Sequence, residues 1–460
     1  MSGDPMKHFQ LQKSIFDFFV IKELRLLISL ILISFLTGCQ LASEDSSGQQ
    51  NVVIVQNDES VLDDRVNYEN EIILIEPDAT TLQKSISSQN SGPALKTKDV
   101  KVSEVTLTLV AQVTAPVYDG HTLQATDVRI SNDMAYVTYN VSGDTFLGAL
   151  EVYDISSAAA PVLLSSAIFS DTDINGIAVE GNEVYLAGAT DSSDYLTPAI
   201  LKNIKLSNGK LSNSVTTVEM PSYAATDVEV AGNYIYVTNG ADDGYIVVLK
   251  KSDLSEVSRY SAIDARGVDS DKSDVAFVTG TNGVSGSSAK LIRFDINQGG
   301  VLSEQNLSGA TLKHAKSTIE VKTKKAILAL GDGGTQVVCL ADGNVIKHID
   351  LPVVAGLDAS LTVANAATAY KRSLFMGNGE AGVYVAIADE NLDAKDCDVD
   401  TLDVVGKLKL DDVLVDGSLQ GQSVNHILYR NDMLFIAAGL GGLKILHVDD
   451  SAASDDDDDD

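Results

Sequence analysis

The stretch ATDVRISNDMAYVTY, residues 125–139, consists of an apolar strand, a polar turn and a second strand with a central aromatic residue. The alternation of polar and apolar residues is typical of strands, and recurrence at a regular interval indicates a repeat protein. Variants of this stretch recur six more times, as INGIAVEGNEVYLAG (174–188), ATDVEVAGNYIYVTN (225–239), ARGVDSDKSDVAFVTG (265–280), KSTIEVKTKKAILAL (316–330), ANAATAYKRSLFMGN (364–378) and VNHILYRNDMLFIAA (424–438).

The length of the repeat predicts the architecture. A third apolar strand follows every copy, and a fourth follows the first six copies, for example at 162–169, 344–351 and 404–410. Four strands in roughly fifty residues is typical of a β-propeller blade. We therefore predict an all-β, seven-bladed β-propeller over residues 101–450. One residue of each second strand should lie in the core between blades: Tyr136, Tyr185, Tyr236, Phe277, Ile327, Phe375 and Phe435.

The seventh copy lacks a fourth strand, because the chain becomes acidic soon after Val448. A strand without a copy of its own, EVTLTLVAQV (104–113), precedes the first copy. We expect this strand to pair beside the third strand of the seventh copy. Such pairing closes the ring and removes exposed sheet edges, which otherwise invite aggregation.

The continuation of the first copy, LEVYDISSAAAPVL (150–163), resembles the LVIVD repeat of bacterial and archaeal surface propellers, as do GNYIYVT (232–238) and GGLKIL (441–446). Later copies depart from it, since the fifth and sixth lack the Gly-Asn turn. The resemblance implies a propeller on a secreted or anchored protein and implies no reaction. PQQ-type and WD40 propellers match less well, because both use a recurrent tryptophan and the chain has none.

The N-terminal residues 1–38 have the pattern of a signal peptide. A weakly basic segment precedes the apolar run Leu26–Leu36, which spans only about 17 Å as a helix and is too short to cross a bilayer core of about 30 Å. The following Leu36-Thr37-Gly38-Cys39 resembles a bacterial lipobox. The resemblance implies a lipoprotein in which Cys39 is diacylated and becomes the mature N-terminus. Gln40, in the position after it, implies the outer membrane of the cell envelope.

Residues 39–100 are rich in Ser, Gln, Asn, Asp and Glu, which predicts a disordered, flexible tether. Two apolar runs, Val52–Val55 and Ile72–Ile75, interrupt it, and the sequence leaves open whether they are strands. Residues 451–460 end in six aspartates whose mutual repulsion predicts a disordered acidic tail. For Cys339 and Cys397, a disulfide and two separate thiols both stay open.

Polar residues stand among apolar neighbours where the inner strands begin. Since the inner strands of a propeller converge on its axis, we expect these side chains around one channel mouth. Two interpretations stay open: hydrogen bonds to loops and channel water, which buried polar groups require, or a functional pocket. The axial binding candidates are Asp127, Asn175, Asp227, Arg266, Asn425 and His426, and nearby loops would add His121, Asp171, Asp173, Asp264, His314 and Lys316.

Charge and motifs restrict the function. Acidic residues outnumber basic ones 65 to 33, a net charge of −32, which argues against nucleic acid as a partner. The chain has no G-x-S-x-G, no H-E-x-x-H and no phosphate-binding Gly-rich loop. Calcium is the one cofactor considered: Asp269, Asp271 and Asp274 partly match a calcium loop, and the acidic insert 389–403 is a second candidate. Solvated loops are the favoured interpretation of both.

The sequence favours a non-catalytic propeller that is anchored to the membrane by lipid and binds a protein or glycan partner at the cell envelope. The alternative is a lactonase-like propeller hydrolase that uses Asp127, Asp227, Arg266 and His426 around the axis. The two hypotheses differ in geometry. A hydrolase requires these four side chains to converge on one cavity, whereas a structural role pairs them with different neighbours.

Overall fold

The protein is described by a computed structural model over residues 53–62, 65–73, 105–240, 243–271, 273–281, 288–296, 300–307 and 316–450. Seven antiparallel sheets of four or five strands follow one another along the chain. Each inner strand contacts the inner strand of the next sheet, and the seventh contacts the first. The prediction of a seven-bladed propeller is confirmed.

In each of the first four blades, four consecutive strands follow one another from the axis outward. Blade 1 contains Gln124–Ser131, Met134–Asn140, Gly148–Asp154 and Val162–Phe169. Blade 2 contains Thr172–Glu180, Glu183–Thr190, Ala199–Ser207 and Lys210–Glu219. Blade 3 contains Ala225–Ala231, Tyr234–Asn239, Tyr245–Lys250 and Glu256–Ser261. Blade 4 contains Ala265–Ser270, Asp274–Thr279, Lys290–Asp295 and Val301–Asn306.

Blade 5 contains Ile319–Lys322, Lys325–Ala329, Thr335–Cys339 and Val345–Ile349. Blade 6 contains Ala366–Tyr370, Ser373–Gly377, Val383–Ala388 and Leu402–Leu408. Blade 7 contains His426–Arg430, Met433–Ala437, Leu443–Asp450 and Val105–Val113. Three small elements lie in connections between blades: the hairpins Val117–Tyr118 with His121–Thr122 and Val413–Val415 with Ser418–Gln420, and the 3-10 helix Ala359–Leu361.

The ring closes as the sequence predicts. Val105–Val113 pairs antiparallel with Leu443–Asp450, so that Leu107 lies opposite Val448 and Val113 opposite Leu443. Leu107 is fully buried in a cluster shared by blades 6 and 7. The strand Val105–Val113 therefore completes the sheet of blade 7 and covers the edge of Leu443–Asp450.

Two segments form strands where the sequence predicts a mostly flexible tether, and they overlap Val52–Val55 and Ile72–Ile75, the two runs whose strand character the sequence leaves open. Val53–Gln56 pairs with the outer strand of blade 1, and Val66–Ile73 pairs with Val105–Val113 of blade 7. The short helix Glu59–Leu62 lies between them. Arg65 forms an ion pair with Glu151, whose side chain is fully buried in blade 1. Arg65 therefore supplies the counter-charge that a buried carboxylate requires.

The remaining predictions for the two ends of the chain and for His314 are not tested by the structure. The signal peptide 1–38, Cys39, the rest of the interval 39–100, the tail 451–460 and His314 lie outside the described residues. Among the described residues, no helix combines the length and hydrophobicity that crossing a membrane requires.

The hydrophobic core lies between the blades. All seven residues of the predicted column in the second strands are buried. Tyr236 of blade 3, for example, packs against Phe277 and Phe294 of blade 4, with ring centroids 6.0 and 6.4 Å apart. Each blade is apolar on both faces, and only stacking around the axis buries both faces.

Candidate functional site

The polar residues at the start of four inner strands lie in β-bulges. The ladder register shifts around Thr126, Asn175, Thr226 and Arg266, in blades 1 to 4. A bulge leaves one residue unpaired and redirects its side chain. The side chains of the first three residues consequently reach the neighbouring blade.

A belt of hydrogen bonds around the axis results from this arrangement. In each bond a side chain donates to the backbone carbonyl just before the corresponding position of the next blade. Asn175 and Asn425, two of the axial candidates, therefore have a structural role. Among the described residues five such bonds connect Thr126 to Ile174 (3.1 Å), Asn175 to Ala225 (2.9 Å), Thr226 to Ala265 (2.8 Å), Asn365 to Val424 (3.1 Å) and Asn425 to Ala125 (2.8 Å).

Arg266 turns to a partner on its own blade. Its guanidinium donates to both oxygens of Asp264, from Nε at 2.9 Å and from Nη2 at 3.1 Å. Both residues are buried. Such a bidentate pair holds the guanidinium in a fixed orientation towards Asp264.

Three charged or titratable groups from three blades meet at the axis. Asp127 of blade 1 has its Oδ1 atom 3.1 Å from Nδ1 of His426 of blade 7. Its Oδ2 atom lies 3.1 Å from the ammonium group of Lys316, which precedes blade 5 and also donates to the carbonyl of Thr126 at 2.7 Å. Lys316 therefore connects non-adjacent blades. We call Asp127, His426 and Lys316 the axial triad.

Burial and charge fix the protonation states within the axial triad. Burial acts to raise the pKa of Asp127, but the charges of its neighbours outweigh it and hold this pKa at about 2. Burial lowers the pKa of His426 to about 3. Near neutral pH the pair is consequently a carboxylate beside an uncharged imidazole, and the ammonium group of Lys316 is the cation in direct contact with the carboxylate.

Asp227 of blade 3 has a different environment. Its two oxygens accept hydrogen bonds from the backbone N–H groups of Val228 (2.9 Å) and Val268 (3.1 Å), and Arg129 lies 3.8 Å away. Burial raises the pKa of Asp227 to about 6, against the attraction of Arg129. Gly176 of blade 2 makes room for it, since a Cβ atom there would lie 2.6 Å from Oδ1 of Asp227.

A second belt of hydrogen bonds satisfies the free edges of the inner strands. Each inner strand forms the edge of its sheet, so the N–H groups on its unpaired side need hydrogen-bond acceptors from outside that sheet. Acidic and hydroxyl side chains of the preceding blade accept these bonds, as Asp227 does from Val268. The other three described bonds join Asp269 to Val321 N (2.6 Å), Glu320 to Ala369 N (2.9 Å) and Thr368 to Tyr429 N (3.3 Å).

Sequence reasoning named Asp227 for the axis and Asp269 only as a calcium candidate, and it missed Glu320, Thr368, Arg129 and Glu229. Burial raises the pKa of Glu229 to about 8, and Ser270 donates to its carboxyl group at 2.7 Å. The signal that could have found them was the two-residue period of a strand. Arg129 and Glu229 lie two residues after Asp127 and Asp227, so they share the same side of their strands.

The four residues of the hydrolase hypothesis do not form one site. Asp127 and His426 are in contact, but Asp227 caps one backbone group each of blades 3 and 4, and Arg266 pairs with Asp264. The side chains of Asp127 and His426 are 1% and 5% exposed, so both are largely shielded from bulk solvent. The structure thus matches the pairing expected for a structural role.

The nearby loop candidates are similarly dispersed. Asp173 accepts a hydrogen bond from Leu147 N at 3.1 Å, and burial raises its pKa to about 6. Asp171 accepts one from the hydroxyl group of Thr172 at 2.6 Å. His121 is exposed in the small hairpin before blade 1.

The weak calcium candidates are not assembled into a metal site. Asp269 accepts its bond from blade 5, Asp271 caps the turn that contains Ser273, and Asp274 pairs with Arg293. No group of three or more potential ligands occurs among the described residues.

The acidic insert of blade 6 is fastened onto blade 5. A disulfide joins Cys339 at the end of a blade 5 strand to Cys397 of the insert, so of the two alternatives the structure contains the bridge. The insert also covers Lys325, whose side chain is fully buried. The ammonium group of Lys325 donates to the carbonyls of Asn391 (3.4 Å) and Ala394 (3.2 Å) and lies 3.6 Å from Asp396. The insert therefore joins two blades.

Comparison with known proteins supports the fold and assigns no family. No protein-family model and no curated protein matches the chain. Similar solved structures include the WD40 repeats of RRP9 (13% identity, TM-score 0.50, 73% of this chain and 99% of that chain) and U3-55K (12%, 0.50, 73% and 98%). A chain of the mitotic checkpoint complex is also similar (11%, 0.51, 78% and 96%). By its fold, the protein is a seven-bladed β-propeller that is similar to WD40-repeat structures.

Proposed function

We propose that the protein is a non-catalytic binding module of the cell envelope, anchored by lipid at Cys39, whose propeller captures a polypeptide partner. The observation that carries this proposal is the use of the axial charges. Asp127, Asp227 and Arg266 each have partners within the ring. A scaffold whose polar interior serves its own stability is suited to binding through its surface.

The lipobox-like Leu36-Thr37-Gly38-Cys39 and the LVIVD-like segment 150–163 support the location. Both resemblances are to proteins of bacterial and archaeal surfaces. The disulfide between Cys339 and Cys397 is consistent with an oxidising compartment such as the periplasm or cell exterior. The outer membrane and the polypeptide partner are parts of the same proposal.

The test is affinity capture from envelope extracts with the full chain and with Cys39→Ser. We expect the full chain in the membrane fraction and the variant in the soluble fraction. Both should retain a bound species that protease destroys and glycosidase does not. A captured glycan would contradict the polypeptide partner, and a membrane-bound Cys39→Ser variant would contradict the lipid anchor.

Catalysis is tested separately by a screen for ester and lactone hydrolysis. We expect no turnover above background. Turnover that Asp127→Asn abolishes, in a variant with an unchanged circular dichroism spectrum, would contradict the binding role and favour the hydrolase.

A further inference from the structure

The loops of one face of the propeller carry the most exposed apolar side chains. We define the upper face as the loops that lead into the inner strands, together with the loops that join the second and third strands of each blade. The six most exposed large hydrophobic residues of the described chain all lie there, and each is at least 64% exposed. We call them the apolar rim: Val117, Leu196, Tyr223, Val353, Leu414 and Leu419.

The distribution is specific to this face. Fifteen large hydrophobic residues are exposed among the described residues, and eight of them are in upper-face loops. The other seven lie in strands at the outer edge of the ring or in the helix Glu59–Leu62. None lies in the described loops of the opposite face. A concentration of exposed apolar residues on one face is a feature of interaction surfaces.

Two of the loops that carry the rim are anchored by side-chain hydrogen bonds. Ser222, before Tyr223, has a φ of 77° and donates hydrogen bonds to Gly240 O (2.5 Å) and to Asp243 (2.8 Å). Thr197, after Leu196, donates to Met220 O at 2.6 Å. Apolar side chains on anchored loops lose little conformational entropy on binding, which favours affinity.

The hairpin between blades 6 and 7 gives the clearest example. Leu414 and Leu419 are directly opposite each other across its two strands, and each is 71% exposed. Gln422 donates to the carbonyl of Asp411 and closes the base of the hairpin. The pair forms an apolar projection with the carboxylate of Asp416 at its turn.

The charge of the same face identifies the partner. The described upper-face loops contain eleven exposed aspartates and one exposed lysine, Lys409. A partner surface that is apolar and basic would bury the rim and neutralise these carboxylates, whereas an acidic partner would be repelled.

On this basis, and resting on the proposed binding function, we propose that the upper face docks a lysine- or arginine-rich amphipathic segment of a partner protein. The rim residues provide the contact area, with Tyr223 as the aromatic anchor. The surrounding aspartates provide the charge selectivity.

The test is a fluorescence polarisation titration of the full chain with a labelled amphipathic peptide of alternating lysine and leucine. Peptides with glutamate in place of lysine, and with serine in place of leucine, are the controls. We expect saturable binding of the lysine–leucine peptide alone, weakened by salt. A triple variant, Leu196→Ser with Tyr223→Ser and Leu414→Ser, should weaken it at least tenfold.

The matched control is Val301→Ser with Leu302→Ser, which removes exposed apolar side chains from the outer edge of blade 4 and should leave the affinity unchanged. Equal losses in the rim and edge variants, or equal binding of the serine control peptide, would overturn the docking proposal. Envelope capture separates the two proposals. If the triple variant still captures the polypeptide partner, the binding function stands and the assigned surface is wrong.

Discussion

Replacement of Lys316 by methionine tests the role of the axial triad. The substitution keeps most of the side-chain volume and removes the ammonium group that lies 3.1 Å from Asp127. Asp127 then keeps its charge at 1% exposure beside an imidazole that is uncharged near neutral pH. Removing one partner of a buried ion pair costs about 3–5 kcal/mol, so we expect a loss of that order at pH 7.

The pH dependence of this loss should have a defined sign. In the wild type the folded pKa of Asp127, about 2, lies below its usual 3.8. Its stabilising contribution is therefore present above about pH 4 and disappears as the pH falls towards 2, a change on the order of 2 kcal/mol. In Lys316→Met burial raises this pKa with less opposition, so the variant loses stability as the pH rises through the acid range. The difference between the two proteins should be larger at pH 7 than at pH 4.

Urea unfolding followed by circular dichroism at pH 4, 5.5 and 7 measures this difference. Lys205→Met is the matched control, because Lys205 is 71% exposed in its ion pair with Glu183. An exposed pair contributes little, so we expect a change within about 0.5 kcal/mol. A loss in Lys316→Met below about 1 kcal/mol, or one that does not vary with pH, would refute the structural role of the triad.

Three further predictions follow from other parts of the ring. Burial raises the pKa of Glu229 from 4.5 to about 8, so the stability of the wild type should fall as the pH rises between these values. Glu229→Gln should flatten this pH dependence and raise the free energy of unfolding by on the order of 4 kcal/mol at pH 8. Identical pH profiles of stability for the two proteins would contradict this prediction. Cys397→Ser opens a bridge between residues 58 apart and should cost about 4 kcal/mol in chemical unfolding, with the wild type in reductant behaving alike; equal stability of oxidised and reduced protein would argue against the bridge. Leu107→Ala in the closing strand should cost about 2–5 kcal/mol, read out by melting temperature, and a change within error would show that the strand does not complete blade 7.

The architecture could be predicted from sequence because its determinants are local and repeated. A strand pattern that recurs seven times fixes the blade number, and the missing fourth strand after Val448 fixes the place of 104–113. The strands at 53–56 and 66–73 could not be predicted from sequence because the composition around them is that of a tether. The described contacts there are tertiary, namely Arg65 with the buried Glu151 and Val53–Gln56 with the outer strand of blade 1.

The axial site could be predicted only in part. Asp127 and His426 are both among the axial candidates that the sequence names, and these two side chains do meet. Lys316 contacts Thr126, which is 190 positions away in sequence, and Asp127, the residue after Thr126. These contacts were not predictable, because the ring that brings the residues together exists only after folding. The β-bulge at Asn175 directs its side chain towards blade 3, and a single sequence carries no signal that predicts this bulge.

Separation of stability from binding provides the most direct test of the whole account. Lys316→Met and the triple rim variant should be compared for melting temperature and for affinity towards the lysine–leucine peptide. We expect Lys316→Met to melt at lower temperature and, while folded, to bind as the wild type does. The rim variant should melt as the wild type does and bind at least tenfold more weakly. Loss of binding in folded Lys316→Met, with full binding in the rim variant, would place the ligand at the axis and contradict the account.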